Sequence, residues 1–399
     1  MARQESLEID SADSKTADSD FDALAARLKT DGPDGALDLL AERLRAEHKY
    51  HELFDALLMR SRQRLGVPII HTTAIDDLAE PLRSQVEAAY LDACREVGKL
   101  LLADGALREA WMYLRPVGDK AMLAEAIRKI EPDDENLQDL IEIALHEGIA
   151  PAWGYQLVLD HYGTCNAITT FEGAVLGRPR ADQQAAAERL VGHLHRDLLS
   201  SVCAEIAKQA GQQPVETTLA TLVADRDWLF LENNYHVDTT HLNSTVRFAR
   251  LLEDRAAVEL AWDLTEYGRR LGRQFQFAGE EPFVDAYAAS GLFFAAQLGR
   301  QVDEAVAYFG ERARAIDAEQ QGTAAAETFV VLLVRLGRLD EAIAAAAELI
   351  PPGTRTTGLA PSLLELSRQA GRYERLMQAC RERGDLIGFA AGLLSASGK

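Results

Sequence analysis

The sequence lacks the short motifs by which many enzymes and metal proteins are recognised. Its four cysteines are far apart and include no Cys-x-x-Cys pair, so neither a zinc ribbon nor a thioredoxin-type motif is indicated. There is no P-loop, no Gly-x-Gly-x-x-Gly after a strand, no Gly-x-Ser-x-Gly and no His-Glu-x-x-His. These absences argue against nucleotide hydrolysis and hydride transfer, and no cofactor is predicted from a motif.

Long apolar runs and basic patches are missing as well. No stretch approaches about 18 uncharged apolar residues, and the N-terminus has no basic region followed by an apolar segment. The net charge of -21 repels phosphate backbones and anionic lipid headgroups. We therefore expect a cytoplasmic protein with reduced thiols that binds neither nucleic acid nor membranes.

The composition that remains is typical of helices. Alternating β-branched runs are nearly absent, whereas runs rich in Ala, Leu, Glu and Arg have high helix propensity. From Phe21 onward leucines recur at spacings of three and four. Residues 1–20 hold two basic and six acidic side chains with little to bury, which predicts a disordered acidic tail. The rest of the chain predicts an all-α fold.

A short sequence motif recurs near the C-terminus. It reads Leu336-Gly337-Arg338-Leu339-Asp340-Glu341-Ala342-Ile343, and a related turn follows at Ala370-Gly371-Arg372-Tyr373-Glu374, which is 371 minus 337, or 34 residues, later. Looser copies surround Gly299, Gly105 and Gly35. In each copy Gly permits a tight turn, the acidic residue is predicted to cap the second helix, and the small Ala lets two helices approach.

This motif and its spacing resemble the tetratricopeptide-repeat (TPR) class over residues 287–392, and more weakly over 21–130. Most of the units lack the large aromatic residue of the usual first helix. The resemblance implies a TPR-like right-handed α-solenoid of stacked helical hairpins whose concave groove binds a protein or peptide partner. We predict N-terminal hairpins at 21–130, an irregular central helical module at 131–286 and TPR-like repeats at 287–399.

The central module contains the most unusual polar segment, residues 228–245, which is rich in Asn, His and Thr. One hypothesis is that His236, Asp238 and His241, together with His161, hold a divalent metal, zinc or iron, since imidazole and carboxylate are ligands for both. The alternative is that Asp238 or Thr239 caps the following helix while the imidazoles make ordinary hydrogen bonds at a buried corner. In the same segment, Asn233 and Tyr235 are candidate ligand-binding residues.

Two further segments stand out. His161 is followed by Cys165 and Glu172, either as ligands or as base and nucleophile, or else as parts of a capped corner behind Gly163. Residues 269–283 combine three Arg with three Phe, so that Arg269 and Arg273 are candidates to grip an anionic ligand or acidic peptide; the plainer alternative is a solvated helix end.

Three functions therefore stay open from the sequence. The first is a TPR-like scaffold for a protein or peptide, and the second is a metal-dependent enzyme or small-ligand-binding protein with a His/Asp site in the central module. The third is a structural subunit of a larger assembly. The sequence does not indicate an oligomeric state.

Overall fold

The computed structural model describes residues 5–70, 77–351 and 354–397, and of residues 5–18 and 319 only the backbone. Within these ranges the regular structure is helical, apart from one isolated antiparallel bridge between Ala278 and Asp285. The all-α prediction is confirmed. None of the described helices is long and apolar enough to span a bilayer.

The first compact unit comprises Met1–Gly154. Consecutive helices pack on one another, α1 on α2, α2 on α3 and α3 on α4. Its elements are α1 (Glu5–Ala46), α2 (Tyr50–Arg64), α3 (Leu82–Ala103), α4 (Leu107–Val117), α5 (Lys120–Ile127), α6 (Leu137–Ile141) and a π-helical turn (Glu142–His146).

The predicted acidic tail falls at the start of this unit. The structure assigns residues 5–20 to the beginning of α1, where the sequence predicts disorder, and residues 1–4 lie outside the described residues. The helical segment is interrupted at Gly32, whose φ of 74° breaks α1 into two stretches.

The second unit comprises Tyr155–Lys399, and α7 crosses the boundary in sequence. The predicted segments 131–286 and 287–399 share this unit, except for residues 131–154. Its helices are α7 (Pro151–Thr170), α8 (Arg180–Ala210), α9 (Leu219–Ala224), α10 (Thr239–Ala249), α11 (Arg255–Gly268), α12 (Ala286–Gln297), α13 (Val302–Ala315), α14 (Ala318–Gln321), α15 (Ala324–Arg335), α16 (Leu339–Leu349), α17 (Leu363–Ala370), α18 (Glu374–Arg383) and α19 (Leu386–Ser397).

Sequence neighbours also pack together in the second unit, with α11 on α12, α13 on α15, α15 on α16 and α16 on α17. Its core is aromatic near the middle, where Tyr267, Tyr287 and Phe293 are buried, and aliphatic in α15. Burial of these large side chains supplies the main driving force for folding, at roughly 25 cal/mol per Å² of apolar surface.

The repeated glycines do form the predicted turns. Gly299, Gly337 and Gly371 have φ of 83°, 72° and 66° and separate α12 from α13, α15 from α16 and α17 from α18. An L-residue pays a steric penalty in this left-handed region, which glycine avoids. Near the N-terminus the turn glycine is Gly32, and Gly35 lies within α1 instead.

The prediction that acidic residues cap the second helices is wrong. Neither α13 nor α16 has a side-chain cap, although Asp303 and Asp340 lie in their first turns. These carboxylates instead accept hydrogen bonds from the arginine of the following repeat, Arg338 to Asp303 at 3.3 Å and Arg372 to Asp340. The arginines after Gly337 and Gly371 therefore contact the aspartates of the preceding copies of the motif.

We expect Gly337→Ala to lower the free energy of unfolding by about 1–2 kcal/mol, because alanine is strained at a φ of 72°. The matched variant is Gly192→Ala within α8, where an added methyl group meets open space. That change should raise the free energy of unfolding by roughly 0.5–1 kcal/mol through helix propensity. Urea denaturation followed by circular dichroism measures both, and equal effects in the two variants would contradict the assignment of the turn.

Candidate functional site

The polar segment of the central region begins α10. Asp238 is the N-cap residue of that helix: its Oδ1 accepts hydrogen bonds from the backbone amides of Thr240 at 2.8 Å and His241 at 3.3 Å, and from the Thr240 hydroxyl at 2.6 Å. These hydrogen bonds, that of the Thr240 hydroxyl foremost, lower the pKa of the Asp238 carboxyl against the opposing effect of burial. The predicted capping role of Asp238 is confirmed.

His236 lies just before this helix and is bound to Tyr267 of α11. The Tyr267 hydroxyl is 2.9 Å from the backbone amide of His236 and 3.0 Å from its Nδ1. Burial lowers the pKa of His236, with Glu205 opposing the effect, so the ring is held toward its neutral form. The imidazole thus packs as a hydrogen-bonded corner residue, as in the structural alternative.

The four candidate metal ligands do not assemble. His241 lies half-buried in the first turn of α10, whereas His161 is exposed on α7. Across the part of the chain that the structure describes, no group of three or more His, Cys, Asp or Glu side chains is arranged to hold a metal ion. The geometry gives the zinc or iron hypothesis no support, since Asp238 is occupied with capping.

The predicted pairing of His161 with Glu172 is not formed, whereas residues 269–283 contact the segment that holds Asn233 and Tyr235. Glu172 binds Arg247 of α10 and makes no pair with His161. Asn233 and Tyr235, in contrast, do meet the arginine-rich segment, because Asn233 Oδ1 lies over Gly272 and the Tyr235 ring is 5.1 Å from Phe275. Sequence reasoning selected both segments without predicting that they touch.

The two candidate arginines of residues 269–283, Arg269 and Arg273, lie near this contact but have no binding partner in common. Arg269 donates from Nη1 to Glu266 at 3.1 Å and lines a groove of about 410 Å³ between α11 and α12. Arg273 is exposed at the start of a short 3-10 turn, Arg273–Phe275. Within the described residues, Asn233, Tyr235, Arg269 and Arg273 do not form a shared anion site.

A buried histidine and a buried aspartate elsewhere in the second unit are hydrogen-bonded in the manner of a catalytic dyad. His195 Nε2 is 2.7 Å from Asp263 Oδ2. The same carboxylate also accepts the amides of Leu219 at 2.8 Å and Ala220 at 2.7 Å, which are the first amides of α9. Asp263 therefore ties α8, α9 and α11 together, and its lone pairs are taken up by structural hydrogen bonds.

The strongest site is one that sequence reasoning missed, a cavity of about 460 Å³ in the second unit, named here the Arg335 cavity. Three arginines line it, from α8, α15 and α17, and the loop before α17 closes one side. Its charged lining residues are Arg180, Glu253, Arg335, Glu365 and Arg368.

Arg335 is the deepest of these cations, with 7% of its side chain exposed. Its Nη1 donates to Gln297 Oε1 at 3.0 Å and its Nη2 to the Leu251 carbonyl at 3.3 Å, while its buried Nε has no acceptor among the described residues. Burial lowers the pKa of Arg335 to about 10, with Glu253 opposing the effect. The charge is therefore poorly compensated.

The carboxylates of the cavity do not neutralise its arginines. Glu253 is exposed and stands 3.8 Å from Arg335 and 4.0 Å from Arg180, which are weak separations for an ion pair. Glu365 is committed to the capping box of α17, where it accepts hydrogen bonds from the amide and hydroxyl of Ser362 at 2.8 Å each. An anion entering the cavity would thus meet cations with unused hydrogen-bonding capacity.

One buried carboxylate positions the wall of this cavity. Glu327, only 1% exposed, accepts five hydrogen bonds, which come from the hydroxyls of Thr323 and Thr357 and the amides of Thr357, Leu359 and Ala360. Burial alone would raise the pKa of Glu327, but these hydrogen bonds outweigh it and lower the pKa. The loop before α17 is therefore held in place by hydrogen bonds to the Glu327 carboxylate, and not by those of a helix or a sheet.

A sequence signal for Arg335 does exist. The residue interrupts an otherwise apolar run, Phe329-Val330-Val331-Leu332-Leu333-Val334-Arg335-Leu336. An arginine inside such a run is placed at the edge of a core and desolvated, unlike an arginine among other polar residues. Comparison of the chain with protein-family models, curated proteins and solved structures finds no match, so function rests on this geometry.

We expect Glu327→Gln to lower the free energy of unfolding at pH 7 by about 1–3 kcal/mol, because the amide offers one acceptor oxygen and places a donor against the loop amides. The folded pKa of Glu327 lies below its ordinary value of 4.5. Its contribution is therefore complete above pH 4.5 and is lost as the pH falls through the folded pKa.

The difference in stability between wild type and Glu327→Gln should accordingly shrink on acidification below pH 4.5. Urea titrations of both proteins from pH 7 to pH 3 measure it. A difference that stays constant across this range would contradict the role of the ionised carboxylate.

Proposed function

We propose that the protein is a helical-hairpin scaffold that binds a protein or peptide partner, and that the Arg335 cavity receives acidic side chains of that partner. The observation that carries the proposal is Arg335 itself, a nearly buried cation with an unpartnered Nε beside two further arginines. Charged groups removed from water are normally paired, so a carboxylate from outside completes this site.

Binding fits the described residues better than catalysis does. The cavity brings together guanidinium groups, which act as fixed cations at neutral pH, with no histidine, cysteine or serine among the residues that line it. Elsewhere Asp238 and Asp263 are occupied with helix N-termini. An arginine fork recognises carboxylates through paired hydrogen bonds, which gives selectivity without chemistry.

The charge balance supports an acidic ligand. The chain as a whole carries -21, so an acidic peptide is repelled from most of its surface. Three arginines at one cavity reverse that field locally, and Arg180 and Arg368 make no hydrogen bond within the described structure that would compete with a ligand. The expected binding is therefore confined to this place and weakens with added salt.

The stacking of hairpins supports a scaffold. The arginine that follows a turn glycine joins its hairpin to the preceding one, through the pairs Arg338 with Asp303 and Arg372 with Asp340. Repetition of one contact with one turn is how a TPR-like right-handed solenoid would be assembled, and such arrays present grooves that hold extended or helical peptides. The proposed partner then lies along α15 and α17, where the cavity opens.

We expect a labelled twelve-residue peptide with glutamate at alternate positions to bind more tightly than the same peptide with glutamine or lysine there. The difference should be at least about tenfold at low salt, because only the glutamate peptide supplies anions to the arginine forks. Fluorescence anisotropy with the full chain measures all three. Equal affinity for the glutamate and glutamine peptides would sink the proposal.

Arg368→Gln is the informative variant, because Arg368 is exposed and its loss leaves the core intact. It should weaken binding of the glutamate peptide about threefold to tenfold. The matched control is Arg338→Gln, which removes an arginine that is bonded to Asp303 and does not line the cavity. An equal loss in both variants would mean that net charge, and not this cavity, governs binding.

A further inference from the structure

A second cavity lies next to the Arg335 cavity, and Val331 and Leu359 line both. It has a volume of about 250 Å³ and is named here the Arg250 cavity. Its lining is mostly apolar and includes Leu176, Phe248, Phe283 and Phe293. A half-buried cation, Arg250 at the end of α10, lies in its wall.

Arg250 is held by weak partners. Its Nε donates to the Ser290 hydroxyl at 3.2 Å, and its guanidinium carbon lies 3.7 Å from the centroid of the Phe283 ring. Among the described residues no carboxylate forms an ion pair or hydrogen bond with it. Burial lowers the pKa of Arg250 to about 9, and the nearby cation Arg247 adds to the effect.

Neither carboxylate that lines this cavity pairs with Arg250. Glu281 Oε1 accepts from Arg312 at 2.8 Å, its buried Oε2 has no partner among the described residues, and Glu280 is exposed. The other cation, Arg247, is paired with Glu172. The partly desolvated guanidinium of Arg250 is therefore compensated by a hydroxyl and an aromatic ring, which recover less than a carboxylate would.

We propose that the Arg250 cavity binds a small monocarboxylate with an apolar body. The carboxylate lies on the terminal nitrogens of Arg250, and the apolar body lies among Phe248, Phe283 and Phe293. Two parallel hydrogen bonds from one guanidinium match the two oxygens of a carboxylate.

The chemistry of the cavity selects this ligand class over others. A phosphate dianion needs several donors, whereas Arg250 is the one guanidinium of the lining without a carboxylate partner among the described residues, since Arg247 is paired with Glu172. An amine is repelled by the Arg250 charge. The volume of about 250 Å³ lies below the usual range for drug-sized ligands, which favours a body of a few carbon atoms.

This site goes beyond the proposed peptide-binding function and stands on different residues. Loss of the peptide contact at Arg368 leaves the Arg250 cavity unchanged, and filling the Arg250 cavity leaves Arg368 in place. The two proposals can therefore fail separately.

The probes are hexanoate, hexan-1-ol and inorganic phosphate, each titrated calorimetrically into the full chain at neutral pH. Hexanoate should bind at least about tenfold more tightly than hexanol, which lacks the charge, and than phosphate, which lacks the apolar body. Equal binding of hexanol reduces the site to an apolar pocket and overturns the proposal. Equal binding of phosphate reduces it to a general anion site and overturns the proposed ligand class.

Arg250→Met separates a ligand-binding role from a structural one. It should abolish hexanoate binding and at the same time raise the melting temperature of the ligand-free chain, because an apolar side chain replaces an uncompensated buried charge. Arg250→Lys keeps the charge without the fork and should bind hexanoate about tenfold more weakly than wild type.

Arg338→Met is the control and should leave hexanoate binding unchanged, since Arg338 is not part of the cavity. Retention of hexanoate affinity in Arg250→Met, or a fall in its melting temperature, overturns the proposal. Should Arg250→Met fail to fold, that failure itself assigns Arg250 a structural role and overturns it too.

Discussion

The carboxylate of Glu327 is the interaction on which the architecture of the candidate sites depends. It gathers the amides of Thr357, Leu359 and Ala360 onto the first turn of α15. Leu359 lies in the wall of both cavities, so this one buried anion fixes the partition between them. A buried carboxylate is tolerated only when donors replace its lost water, and here five of them do.

Two partly desolvated arginines, Arg250 and Arg335, lie on the two sides of that partition and contact two neighbouring phenyl rings. The guanidinium of Arg250 stacks on Phe283 and that of Arg335 lies 5.4 Å from the Phe293 ring, while the two rings are 5.7 Å apart. Such contacts with π faces recover part of the electrostatic energy that burial removes, but less than a carboxylate recovers. We therefore expect the ligand-free chain to be less stable than a variant with an apolar replacement, and the proposed anionic ligand to stabilise it.

Much of the fold could be predicted from local patterns, and the sites could not. Turn glycines such as Gly337 and the cap Asp238 are determined by a few adjacent residues, so the sequence shows them directly. The role of Asp340 was mistaken for capping because its partner, Arg372, belongs to the next repeat. His236 and His241 are of a residue type that binds metal ions, but only the tertiary packing places the His236 ring against Tyr267. Arg250 resembles a solvated helix residue in the sequence, and the apolar run around Arg335 indicates its desolvation without showing which distant residues form the cavity.

The central claim is that the second unit uses desolvated arginines to hold anionic groups. Crystals soaked in 4-bromobenzoate test it most directly, because the anomalous signal of bromine locates the bound ligand in the structure. The account predicts a peak inside the Arg250 cavity, among Phe248 and Phe293, with the carboxylate directed at the Arg250 guanidinium. Peaks confined to the outer surface, with neither Arg250 nor Arg335 in contact with a carboxylate, would contradict the account.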